Sequence, residues 1–206
     1  MTLILHPILQ QSFATIDREI GPHNFSADQY AIVRRVIHST ADFEFQQLLH
    51  FSPGVIPLAI TVLATGVPIV TDVNMVAMGI RSVVQQTFDN PIITAVDACQ
   101  TPPLGQTRTA AGLLRCLQDY PEAIYVIGNA PTALFALCQQ LETAAQQPPI
   151  VIGVPVGFIG VIEAKAALAQ LPIPHIRIEG RKGGSPAAAA IVNALLTLAW
   201  QQKDAQ

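Results

Sequence analysis

Few residues in this chain have the types and spacing to do chemistry. Of the five histidines (His6, His23, His38, His50 and His175), no pair has HExxH spacing or the carboxylate neighbours of a metal triad. The three cysteines, Cys99, Cys116 and Cys138, show neither CxxC nor Cys/His spacing, so no metal site is expected. No GxSxG or nucleophilic-cysteine signature occurs either. His38 is the exception, lying near the C-terminal end of a predicted helix within RRVIHSTADF at 34–43. A helix C-terminus favours the imidazolium, which suits a general acid. Asp42, four residues on, either orients that ring or caps the following helix. The chemistry this points to is proton donation.

A second set of residues suits anion binding. Three glycine-rich loops, GNAPT at 128–132, GVPVGFIG at 153–160 and GRKGGS at 180–185, follow predicted strands and lead into predicted helices. Unpaired backbone N–H groups and the helix dipole make such ends anion sites, and Arg181 and Lys182 add positive charge to the third. Arg108, in GQTRTAAGLL, sits where a helix begins, so its charge opposes the dipole unless it faces an anion. Neither GxGxxG nor GxxxxGK[ST] occurs, which removes the best evidence for a dinucleotide or a P-loop. Three such loops in one chain favour a ligand with several anionic groups, carboxylates or phosphates.

The elements that must position these residues alternate. Almost continuously apolar runs at 68–72, 91–97, 123–128, 149–154 and 175–180 read as strands of a parallel sheet buried on both faces. Between and after them lie the helical patterns VNMVAMGI, TRTAAGLLRCLQDY, PTALFALCQQLETAAQQ, IEAKAALAQL and SPAAAAIVNALLTLAWQQK. Upstream, an amphipathic helix is predicted over 12–20, and Ser26 reads as the N-cap of another that puts Tyr30, Val33 and Ile37 on one face. The alternation predicts an α/β fold with a doubly wound, mostly parallel sheet, whose ligands bind at the C-terminal ends of the strands. No linker divides residues 1–206, so one domain is expected.

Composition narrows the partners. Half of the 206 residues are apolar, which excludes disorder, and a net charge of −3 gives no basic footprint for nucleic acid. Charged residues are 12% of the chain against ~25% in an ordinary soluble protein, which reads either as a very apolar core or, the favoured reading, as a permanent subunit interface. The longest uncharged run, 45–71, is interrupted by Pro53, Gly54, Pro57, Gly66 and Pro68 and falls short of the ~20 apolar residues of a spanning helix, so no membrane span is predicted. MTLILHPILQQSF has no basic region ahead of its apolar residues and is not read as a secretory signal. Reduced, buried thiols in a cytoplasmic protein follow from the cysteine usage.

Seven of these motifs in order resemble the precorrin-8X methylmutase family (cobalt-precorrin-8 methylmutase in the anaerobic branch) of cobalamin biosynthesis. They are SF-x-x-I-x-x-E at 12–19, VIHSTADFEF at 36–45, TDVNMVAMGI at 71–80, GQTRTAAG at 105–112, GNAPTALF at 128–135, PVGFIGVIEAK at 155–165 and GRKGGSPAAAAIVNAL at 180–195. The resemblance covers nearly the whole chain, departing where Gln106 stands at a common family Asn. It implies a three-layer α/β/α fold, a homodimer with active sites near the subunit interface, and migration of a methyl group from C-11 to C-12 of a tetrapyrrole. His38 matches the family histidine that protonates the ring nitrogen beside the migrating methyl. Ser12 matches a substrate-contact position, and Thr107 and Arg108 match a Thr-Arg motif that would clamp an acidic side chain. Gly128, Asn129, Arg181, Lys182, Gly183, Gly184 and Ser185, in the first and third loops, complete the expected substrate-binding set. No cofactor and no protein-bound metal is implied; any cobalt belongs to the substrate. A tetrapyrrole carrier without catalysis would keep the loops without needing His38, and an unrelated Rossmann-like oxidoreductase has the missing GxGxxG against it.

Overall fold

The computed structural model describes residues 6–144 and 146–204, in which six strands and ten helices form. The strands are β1 Leu49–Phe51, β2 Ile69–Thr71, β3 Ile92–Thr94, β4 Ile124–Ile127, β5 Val151–Gly153 and β6 His175–Ile178. They make one sheet in the order β1-β6-β5-β4-β2-β3, parallel throughout except that β1 runs antiparallel to β6, with Leu49 opposite Ile178. β2, β4 and β5 are buried at every residue, which is why their sequences are unbroken apolar runs.

Alternate residues of the inner strands feed two cores. Ile124 and Val126 point into one and Tyr125 and Ile127 into the other, as the period of two dictates. The first core is covered by α1 Pro7–Glu19, α2 Ala27–Thr40, α3 Phe45–Leu48, α4 Val55–Ala64, α5 Asn74–Gln86 and α10 Ser185–Asp204. The second is covered by α6 Ala95–Ala98, α7 Arg108–Asp119, α8 Pro131–Leu141 and α9 Val161–Gln170. The result is the three-layer α/β/α arrangement the alternation predicts. Close packing on α10 depends on small residues: a Cβ at Gly79 of α5 would stand 2.7 Å from the Ala189 Cβ. Among the described residues no helix is long and apolar enough to cross a membrane.

Local signals fix most boundaries. Ser26 and Gln29 form a reciprocal capping box at the start of α2, which ends at Ala41 in the left-handed region (φ 52°). α1 begins at Pro7 rather than at Ser12, because proline suits the first helical position and the His6 ring accepts the Ile8 amide at 3.2 Å. The run expected as a strand over 91–97 extends only to Thr94 and turns into α6. The helix expected over 131–147 stops at Leu141. β1 and α4, inside the uncharged 45–71 run, were not anticipated.

Candidate active site

His38 occupies the last turn of α2 with its side chain exposed. Phe13 of α1 meets the imidazole edge to face at a centroid distance of 5.5 Å and an interplanar angle of 79°. Phe13 is held in turn by the Arg34 guanidinium, 4.4 Å over its ring, and Arg34 is paired with Asp17 at 3.1 Å. Asp42 does not orient His38. Its Oδ1 accepts the Glu44 amide at 2.9 Å, and its Oδ2 accepts from the Lys182 ammonium at 2.5 Å. That ammonium holds the Asp42 carboxyl below the usual carboxylate range. Asp42 does not cap α3 either: the N-cap is Glu44, without a side-chain cap, and Asp42 holds the turn that precedes it.

Two clefts flank the imidazole. One, of about 410 Å³, is lined by Gln11, Ser12, Thr15, Ile37 and Phe43 together with His38. The Ser12 hydroxyl there donates to the Ile8 carbonyl at 2.9 Å, leaving its lone pairs toward the cleft. The other, of about 270 Å³, lies on the opposite side of His38 and is lined by Arg35, Ser39, Pro186 and Asn193 among others. Arg35 is partly buried, and burial lowers its pKa, yet it has no hydrogen-bond or ion-pair partner among the described residues. Beside it the buried Asn193 Oδ1 is also unpartnered, while its amide nitrogen donates to the Gly79 carbonyl at 2.9 Å. A cation partly taken from water without an anion carries a desolvation cost. Sequence reasoning missed Arg35. The available signal was its spacing from His38, since residues i and i+3 share a helix face.

The first loop is already satisfied from within the chain. Asp72, fully buried just after β2, accepts the amides of Gly128 at 3.0 Å, Asn129 at 2.8 Å and Ala130 at 2.7 Å. Burial pushes the Asp72 carboxyl up against the opposing pull of these amides. The expectation that Gly128 and Asn129 offer backbone donors to an outside anion is therefore corrected: the chain's own carboxylate sits there. The Asn129 residue is itself exposed.

The third loop is corrected in part. Lys182 is neutralised by Asp42 and by Glu44 at 2.8 Å, so it is not a free cation. Arg181 is exposed and stands 5.8 Å over the Phe158 ring, with no ion pair among the described residues. Gly183, at φ 149°, lies against the Val154 carbonyl, where a Cβ would approach to 2.3 Å, and the Gly184 amide donates to that same oxygen at 2.9 Å. Ser185 is buried where α10 begins.

Arg108 lies on the other layer. Its Nε donates to the Cys99 carbonyl at 3.3 Å and its Nη2 to the Val96 carbonyl at 2.9 Å and to Gln100 Oε1 at 3.2 Å. Carbonyls in and just after α6 thus supply the negative pole that the sequence argument sought outside the chain. Nη1 keeps no partner among the described residues. Thr107 caps α7 through the Ala110 amide at 3.2 Å and shares a hydrogen bond with Thr132 at 3.0 Å. Both threonines line a third cleft, of about 400 Å³, with Phe135, Ile159 and Glu163. Within one protomer, Thr107 and Arg108 are not brought to His38. Burial pushes the Cys116 thiol up to about 11 and the Cys138 thiol up to about 12, away from the thiolate form.

Fold and site together define an α/β protein with one exposed imidazole between two clefts, an unpaired cation beside it, and helix starts capped from within the chain. A family model described as precorrin-8X methylmutase matches residues 7–198. The cobalt-precorrin-8 methylmutase of Synechocystis sp. is 57% identical over 211 aligned residues, covering 96% of this chain and 97% of the relative. The precorrin-8X methylmutase of Pseudomonas aeruginosa is 39% identical over 92% of this chain and 94% of its own. The solved precorrin-8X methylmutase of Thermus thermophilus superposes with a TM-score of 0.86 at 37% identity, covering 96% of this chain and 99% of the other. The chain belongs to the precorrin-8X methylmutase family. It is thus a methylmutase, an isomerase of cobalamin biosynthesis, and the family implies a tetrapyrrole substrate.

Proposed function

We propose that the protein moves a methyl group from C-11 to C-12 of precorrin-8X or cobalt-precorrin-8, giving hydrogenobyrinate or cobyrinate. The observation that carries this reading is the exposed His38 imidazole between two clefts, with unpaired Arg35 on one side and Ser12 on the other. The His38 side chain, in its imidazolium form, donates a proton to the ring nitrogen beside the migrating methyl. The methyl then shifts with its bonding electrons to the neighbouring carbon, and the nitrogen returns the proton to the imidazole. No atom is gained or lost, so the protein needs no nucleophile. Positioned acid catalysis of this kind contributes typically ~10²–10⁴-fold.

Substrate carboxylates are held by Arg35, by exposed Arg181 and by the open Nη1 of Arg108. Planar guanidinium groups grip a carboxylate at two points and fix the ring's orientation. The protein acts as a homodimer in the cytoplasm. The dimer is supported by low charge content and by exposed apolar side chains that a second copy would cover, Phe158 (84% exposed) and Ile159 (91% exposed) among them. The proposed dimer would cover Ile159, which lines the cleft of Thr107, so that active sites lie near the subunit interface. Incubating the purified protein with cobalt-containing and metal-free substrate, followed by absorbance, tests the reaction: turnover gives the corrin spectrum, whereas binding without isomerisation only shifts that of the substrate.

A further inference from the structure

A buried charge among the described residues lies outside the groups just assigned. Lys165 of α9 is 2% exposed and has no carboxylate partner among the described residues. Its ammonium donates to two backbone carbonyls of one turn, Gly180 at 2.9 Å and Lys182 at 2.6 Å. Burial, with a smaller push from Arg177, lowers its pKa to about 8. A buried ammonium without an anion is retained at a penalty that an apolar side chain would avoid. Here it meets two carbonyls that the loop's amides do not reach.

The turn it grips leads to His38 by two routes. From its middle, the Lys182 side chain crosses to Asp42 at 2.5 Å and Glu44 at 2.8 Å, in the turn that follows α2, and Asp42 in turn accepts the Glu44 amide. From its end, the chain enters α10, whose Pro186 lines the cleft shared by His38 and Arg35 and whose Pro186 carbonyl accepts from the Ser39 hydroxyl at 3.4 Å. The far side of the turn is tied to the 154–160 loop, with Gly184 N donating to the Val154 carbonyl and Gly157 N to the Arg181 carbonyl.

We propose that Lys165 is a positioning residue for the reaction at His38: from the α8–α9 layer it fixes the 180–184 turn, which in turn fixes the end of α2 and the wall of the Arg35 cleft. It touches no substrate; it sets the place from which His38 acts. This inference rests on the reaction proposed above, and its test separates the two.

Lys165→Met keeps an apolar stem of similar length and removes the ammonium. Hydrogen exchange, which needs no turnover, is expected to show lost protection at 180–185 that spreads to 39–45, with β4 and β5 still protected. Turnover per binding-competent site, counted by titration with the corrin product, is expected to fall about 10- to 100-fold, the scale of an ångström of misplacement, with KM changed less than about threefold. Lys182→Met alone should lower kcat severalfold, and the double variant should be no slower than Lys165→Met. Unchanged kcat per competent site, or losses that multiply in the double variant, would overturn the proposal, as would exchange confined to α9. If Lys165→Met does not fold, Lys182→Met decides: wild-type kcat in a folded protein counts against the route through Asp42. A wild-type protein that binds the tetrapyrrole without isomerising it defeats the reaction, while the exchange result still judges the brace.

Discussion

Arg35 is the residue whose environment most directly asks for a ligand. It is partly buried, unpaired among the described residues, and one turn before His38 on the same helix. Arg35→Ala should weaken binding of the corrin product by roughly 2–5 kcal/mol, the usual cost of truncating one partner of a buried charge pair, and Arg35→Lys should recover it only in part. Absorbance titration measures both, and equal affinities would remove Arg35 from the site. Lys165 makes a different, pH-dependent prediction. Its folded pKa, about 8, lies below the ordinary 10.5 of an unfolded lysine. Below pH 8 both states hold the proton and the burial penalty is constant. Between about 8 and 10.5 the unfolded chain binds the extra proton, so this group adds stability as pH rises. The wild type should therefore gain up to roughly 3 kcal/mol on Lys165→Met across that window in denaturant unfolding, whereas parallel curves would mean that Lys165 titrates normally. The place of His38 near the end of α2 was legible because the Ser26 cap and the helical periodicity mark that helix. Arg35 was passed over because the Arg34-Arg35 pair reads equally well as a solvated face.

At the scale of elements, the start of α8 depends on a carboxylate 56 residues upstream. Removing it in Asp72→Ala leaves the Gly128, Asn129 and Ala130 amides without their acceptor. Each buried unsatisfied group costs about 1–3 kcal/mol, and partial access of water to the exposed Asn129 residue reduces the sum, so a loss of about 3 kcal/mol is expected in thermal or urea unfolding. A loss below about 1 kcal/mol would mean that the loop finds other acceptors. This contact also shows where sequence reading stopped. GNAPT gave the loop and the proline at the helix start, both local properties, but not the acceptor, because which strand end lies beside β4 depends on strand order. Arg108 repeats the lesson, since its partners lie in and just after α6, a four-residue helix that begins inside what read as a strand. β1 escaped for a related reason: three residues at an antiparallel edge are too few to display a period of two. The inner strands and α2, α5, α7 and α10 were legible because burial on both sheet faces, capping and helical periodicity each leave a repeated mark.

For the whole molecule, the sheet places two sets of candidate residues on opposite layers, and the proposed second copy would cover Ile159 in the cleft of Thr107. Sedimentation at micromolar concentration should give a dimer, and Phe158→Asp with Ile159→Asp should shift it toward the monomer while the fold persists. A stable 22.0 kDa wild-type monomer would contradict the dimer. The proposed isomerisation depends on one proton. Single-turnover absorbance with precorrin-8X or cobalt-precorrin-8 should show the corrin spectrum forming with wild type. With His38→Ala and His38→Asn the pigment should bind and its chromophore remain unconverted, because asparagine forms hydrogen bonds but delivers no proton. Conversion by either variant within severalfold of the wild-type rate would contradict the account.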